Sequence, residues 1–308
     1  LSRAELDYLT DTDTALGALA AAGGAGQLNW QLATGASAGD IASVASEDYA
    51  PLLTLDAALP ASETDAVSVP MTAISQPERL AVGDYAYLVG AAGDIREAVA
   101  VLAFDAANAS IDLARGVLDT TPQSHVSGTR LIGVGEWLAA EGAERAPGES
   151  VFVGAIPRTL TDQGDAVLAS NGQPLVLTGR QALPYPPGRI RLNGQTEPAV
   201  VAGDLTLAWA HRDRTQQTAY LVQQDEGDIG PEPGVSSTVR IRARNDALVH
   251  TVTGITGSSF VWDVASAAAD AGAQGDRITL EIAAERDGLE SWQPQVRAVD
   301  RAGYGLRW

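Results

Sequence analysis

The sequence predicts a mostly β protein, with small β modules followed by a two-sheet sandwich. Three observations carry this. From about residue 66 apolar residues alternate with period two in short runs, the pattern of a strand with one buried face. Gly, Asp and Asn turn residues separate the runs. A proline-rich break then precedes a stretch whose strands fall at the spacing of a sandwich.

In chain order, residues 1–75 form an Ala/Gly-rich mixed segment. The run "ALGALAAAGGAG" (15–26) carries too many glycines for a helix. "LNWQLA" (28–33) reads as a short strand, and "YAPLLTLDAALP" (49–60) ends at Pro60, a helix-stopping residue. Residues 76–181 read as a small all-β domain, with strands in "GDYAYLVG", "REAVAVLAFD", "ASIDLARGVLD", "TRLIGVGEW", "SVFVGAI" and "QPLVLTGR"; "AVSVPMTAIS" just before it alternates in the same way.

Residues 182–188 form a linker, because Pro184, Pro186 and Pro187 favour an extended, semi-rigid connector. The sandwich is expected over 189–308. Ile190 and Leu192 share one face, as do Leu205, Leu207 and Trp209. Val239 and Ile241 point inward while Arg240, Arg242 and Arg244 point outward. Phe260, Trp262 and Val264 align, as do Ile278, Leu280 and Ile282, and "QVRAVD" is the last strand. This is about the strand number and length of a sandwich of roughly 100 residues.

Composition narrows the function. At 308 residues with 45% apolar content the chain is globular rather than disordered. It has no cysteine, which excludes disulfides and thiolate sites, and three histidines leave little for zinc. No metal or cofactor is expected. The net charge is −19, and all 20 basic residues are Arg. Residues 1–183 carry 23 acidic and 8 basic groups (−15), and the remainder 16 and 12 (−4). Such a field opposes nucleic acid and anionic lipid. No apolar run has the length of a membrane span, and no signal peptide is visible. A chain that begins with Leu1 and holds a single methionine, Met71, is expected to belong to a longer polypeptide.

Several motifs suggest chemistry. His211-Arg212-Asp213 matches the start of a kinase catalytic loop, but the chain has no lysine and residue 218 is Thr where that loop needs Asn. The preferred reading is a core Trp209 followed by a charged turn. Gly35-Ala36-Ser37-Ala38-Gly39 matches a nucleophile elbow, with "LNWQLAT" as its strand, "DIASVAS" as its helix and His125, His211 or His250 as a base. The all-β reading of the rest of the chain opposes a hydrolase, which stays a remote alternative. Asp11-Thr12-Asp13 and Asp225-Glu226-Gly227-Asp228 lack the spacing of a calcium loop and read as solvated acidic loops. Arg240, Arg242 and Arg244 are a possible interaction face for an anionic partner, or a strand face paired with neighbouring acids. Asn108-Ala109-Ser110 fits a glycosylation triplet, which means little in the bacterial context that the all-Arg, Ala- and Gly-rich composition suggests. His125 reads as a hydrogen-bonded structural histidine rather than a ligand.

Three patches carry a family resemblance. Arg115-Gly116-Val117-Leu118-Asp119-Thr120-Thr121-Pro122, with His125 and Gly128-Thr129, resembles a turn found in tail-tip or baseplate hub proteins of long-tailed bacteriophages and related gene-transfer particles. Tyr185-Pro186-Pro187 resembles their linker. "GDLTLAWAHRDR", "GDIGPEPG", "RDGLESWQ" and "VDRAGYG" are similar to their terminal fibronectin type III-like domain. The resemblance covers roughly residues 75–308. It implies a structural virion protein at the distal tail, not an enzyme, with residues 1–75 ending an upstream hub domain. Its implied partners are copies of itself in a homotrimer, other tail-tip proteins, and a host receptor or attached fibre. A bacterial surface adhesin or carbohydrate-binding module is the alternative.

Overall fold

The computed structural model describes residues 14–23, 26–90, 93–160, 172–217, 221–269 and 277–302. They are mostly β and fall into two compact units, neither of them one continuous stretch. The first holds the described chain up to Pro60, then Ala66–Ala114 and Ser124–Ala182. The second holds Ala61–Asp65, Arg115–Gln123 and the described chain from Leu183 onward.

The first unit contains β1 (Thr14–Ala18), β2 (Gln27–Gly35), β3 (Ile41–Glu47), β4 (Leu52–Leu55), β5 (Ala66–Ser75) and β6 (Tyr85–Val89). It continues with β7 (Ile95–Asp105), β8 (Ser110–Ala114), β9 (Arg130–Gly133), β10 (Ala139–Arg145), β11 (Ser150–Thr159) and β12 (Gln173–Val176). Strands β4, β5, β8, β7, β6 and β9 close in that order into a barrel, every pair antiparallel. Alternation decides which side chains fill it: Leu53 and Leu55, Val69 and Met71, Val99 and Val101, Ile111 and Leu113. Trp137 packs against the same cluster.

Residues 14–75 are not a separate segment. Strand β5 ends at Ser75 and pairs with both β4 and β8, so the chain does not divide there. "YAPLLTLDAALP" contributes a strand rather than a helix, because Leu53 and Leu55 both reach the barrel core. "ALGALAAAGGAG" opens in β1, which pairs with β10. The remaining strands form the sheet β12-β11-β2-β3, with Trp30, Leu32, Tyr49 and Ala139 buried in one cluster.

The second unit contains β13 (Gly188–Leu192), β14 (Val200–Val201), β15 (Leu205–Ala210), β16 (Ser236–Ala243), β17 (Leu248–Ile255) and β18 (Ser259–Trp262). A short helix α1 (Val264–Ala269) follows, then β19 (Arg277–Arg286), β20 (Leu289–Glu290) and β21 (Gln295–Arg301). One sheet runs β13-β15-β18 and the other β14-β21-β19-β16-β17, with β20 against β19. Both sheets feed one core: Ile190, Leu192, Leu207 and Trp262 from the first, Val239, Ile241, Ile278, Leu280 and Ile282 from the second. This is the fibronectin type III-like arrangement expected for this part of the chain. Each fully buried aliphatic side chain contributes about 1.5–3 kcal/mol relative to exposure.

Val264 departs from its expected place. It is exposed at the start of α1 rather than aligned with Trp262, because Asp263 ends the strand. The Asp263 carboxylate accepts the Ser266 N–H at 2.7 Å and its hydroxyl at 3.1 Å, which favours a helical turn. No helix among the described residues is long and apolar enough to cross a membrane.

Candidate functional site

The motifs singled out in the sequence resolve into structural parts. After β15 ends, Arg212 turns inward and is almost wholly buried. Its Nη1 donates to the carbonyls of His211 (3.0 Å) and Gly227 (2.9 Å). Its Nη2 donates to those of Gln223 (2.9 Å), Glu226 (3.1 Å) and Gln224 (3.3 Å). A Cβ on Gly188 would lie 2.4 Å from Nη2, so only glycine lets the guanidinium come this close to β13. Burial pushes the Arg212 pKa down, against the opposing pull of Glu226, Asp228, Glu63 and Asp225.

The Asp213 carboxylate is engaged by its own turn. Its Oδ1 accepts the Thr215 N–H at 2.8 Å and hydroxyl at 2.6 Å, and its Oδ2 accepts Gln216 Nε2 at 2.7 Å. His211 donates its backbone N–H to Asp228 Oδ1 at 2.7 Å. Glu226 Oε2 accepts the Gln223 N–H at 3.0 Å. The carboxylates of Glu226 and Asp228 are therefore turned toward backbone donors. Among the described residues no group of three or more His, Cys, Asp or Glu is placed to hold a metal. Asp11 and Asp13 lie outside the described residues.

Ser37 sits in an exposed turn between β2 and β3, whose residues pair antiparallel from Gly35↔Ile41. The Asp40 N–H donates to the Ser37 carbonyl at 3.1 Å. "DIASVAS" is strand β3, not the helix that a nucleophile elbow requires, so the Gly-x-Ser-x-Gly match is a hairpin. His125 is committed elsewhere: its Nε2 lies 2.8 Å from Glu97 Oε2, both side chains buried. Its backbone bridges Leu59 in both directions, N–H to carbonyl at 2.8 and 2.9 Å.

The Arg face is charge-paired. Register sets Arg240 opposite Glu281 across β16 and β19. Arg240 Nη1 donates to Glu281 Oε1 at 2.7 Å and to Glu290 Oε1 at 2.9 Å, while Nη2 donates to Glu290 Oε2 at 2.5 Å. The Glu290 hydrogen bonds, with those to Glu281, raise the Arg240 pKa above its already high value despite partial burial. Arg242 lies 3.6 Å from Glu281 Oε2 and 3.9 Å from Asp246. Arg244 is exposed just beyond the strand end. Charges of both signs on one face leave little net field for an anionic ligand.

Sequence reading missed a buried polar cluster in the second unit. Gln295 Nε2 donates to the Pro187 carbonyl at 2.9 Å and to Gln224 Oε1 at 2.8 Å. Gln224 Nε2 in turn donates to the Gly116 carbonyl. Thr121 donates its N–H to Gln293 Oε1 at 2.9 Å, and Arg115 Nη2 donates to the Gln123 carbonyl at 2.6 Å. The distinctive 115–123 segment is thus clasped by the residues of its own unit. "VDRAGYG" is described only through Ala302, and its last three residues lie outside the described chain.

No protein-family model matches the chain, and no curated protein matches it. A similar solved structure is described as "Biofilm associated protein - BSP domain". It shares 14% identity over 82% of this chain and 30% of that one, with a TM-score of 0.19. The chain spans less than a third of that protein's length, and a likeness at this TM-score carries no argument.

Proposed function

We propose that the chain is a non-enzymatic structural protein that acts through surface contacts, placed at the distal tail of a phage-like particle. The observation that supports the non-enzymatic reading is that Arg212 and Asp213 are engaged within loops of the second unit, and His125 within the barrel of the first. Ser37, the remaining candidate, occupies a hairpin turn. The tail-tip placement rests on the resemblance of residues 115–129, 185–187 and the sandwich to phage hub proteins. In that role the chain closes the tail as a homotrimer, joins other tail-tip proteins and carries host-attachment parts. Turn-rich β modules suit a virion part that must persist outside the cell.

A second reading is a bacterial surface adhesin or carbohydrate-binding module. The two-sheet sandwich favours it, since its loops and strands suit protein or glycan contacts. Immunogold electron microscopy of induced cultures, with an antibody against the whole chain, separates the two. Gold at one end of tailed particles supports the tail-tip reading. Gold on cell surfaces, with no tailed particles present, sinks it and leaves the adhesin.

A further inference from the structure

Glu63 is 4% exposed although it carries a carboxylate. Its Oε1 accepts the Ile190 N–H at 2.9 Å and Arg297 Nη2 at 2.6 Å, and its Oε2 accepts Arg191 Nη1 at 3.1 Å. Ile190 and Arg191 belong to β13, in the three-stranded sheet, while Arg297 belongs to β21, in the facing sheet. A single carboxylate therefore reaches both layers of the sandwich. It is delivered from far upstream, 128 residues before Arg191 and 234 before Arg297.

The segment that carries it is fixed on its other side as well. The Glu63 N–H donates to Glu197 Oε1 at 2.8 Å, and Ser62 Oγ donates to Glu197 Oε2 at 3.0 Å. In the sequence, residues 61–65 fall between β4 and β5, although they belong to the second unit.

We infer that β13 and β21 form a carboxylate receptor whose ligand is Glu63 of the same chain, and that filling it makes closure of the sandwich depend on the chain upstream. Without the carboxylate, the guanidinium groups of Arg191 and Arg297 face each other in a largely desolvated place. There they repel, and neither recovers the hydration it lost on folding. Coulomb attraction across the two sheets is replaced by a force that opens them.

Hydrogen–deuterium exchange on the full chain tests this. Glu63→Ala is expected to speed amide exchange in β13 and β21 by about tenfold or more, since removing one partner of a buried ion pair strands the others. Barrel strands β6 and β7 are expected to keep the parent rate. Glu63→Gln keeps the shape and an acceptor for Ile190, so its acceleration should be smaller but in the same strands. Ser62→Ala, which loses two exposed bonds, to Glu197 and from the Thr64 N–H, should leave β13 and β21 unchanged. Parent-like exchange of β13 and β21 in Glu63→Ala overturns the inference, and so does equal acceleration in β6 and β7. If Glu63→Ala does not fold, Glu63→Gln is judged by the same two criteria.

Discussion

His125 Nε2 lies 2.8 Å from Glu97 Oε2, with the two side chains 1% and 0% exposed. Glu97 shares the inward face of β7 with Val99 and Val101, and the Leu59 backbone bridge holds His125 against it. Replacing His125 by Ala leaves a buried carboxyl without its imidazole, at an expected cost of about 3–5 kcal/mol in urea unfolding. The double variant Glu97→Leu/His125→Leu should lose clearly less than the two single changes together. Additive losses would mean that the contact is incidental.

The hairpin at residues 35–41 separates geometry from chemistry. A Cβ on Gly35 would lie 1.8 Å from the Asp40 carbonyl oxygen, so Gly35→Ala must move backbone and should cost more than about 2 kcal/mol. Ser37→Ala, in the exposed turn, should change stability by no more than about 0.5 kcal/mol. Ester hydrolysis assays of the parent and Ser37→Ala should agree at background. Activity that disappears with Ser37 would revive the hydrolase.

Arg212 holds the loop 223–228 through carbonyls alone. Lysine has one donor group on a flexible stem and does not span these acceptors. Arg212→Lys is therefore expected to cost about 2–3 kcal/mol, and limited proteolysis should begin in 223–228. A protected loop in that variant would show that the carbonyl cage is dispensable.

Glu141 links stability to acid. Burial works to raise its pKa, but hydrogen bonds from Arg145 (2.6 and 3.0 Å) and Thr34 (2.6 Å), with the Arg145 charge, hold it below the usual value. A depressed folded pKa means that the unfolded chain takes up the proton first as pH falls. The contribution is therefore complete above the unfolded glutamate pKa of about 4.3 and fades as pH drops through the lower folded value. Thermal melts from neutral pH to about pH 3 should show a shallower acid decline for Glu141→Gln than for the parent. Parallel declines would remove Glu141 from the account.

The sandwich was legible because its strands contrast sharply: Ile190 and Leu192, or Ile278, Leu280 and Ile282, stand among charged neighbours. Arg240 and its acids were legible as a class, since outward arginines on a mixed-charge chain usually find carboxylates. Within the first 75 residues "LNWQLA" and "AVSVPMTAIS" were legible as strands, while the stretches around them were opaque because alanine and glycine give weak contrast between period two and period 3.6. "DIASVAS" suits a helix in composition and becomes β3 only because β2 lies beside it. Glu63 had no local signal, since all its side-chain partners lie at least 127 residues away.

Six strands closed on themselves leave no open backbone ladder for a second chain to join. The outer strands elsewhere are guarded in different ways. Strand β12 is four residues long and carries Pro174, and β18 is also four residues long. Among the described residues, strands β3, β13 and β17 each pair with one neighbour, in an irregular register. These strands thus offer crowded copies no straight, regular template on which to grow fibrils. Concentrated solutions should stay clear and free of cross-β scattering.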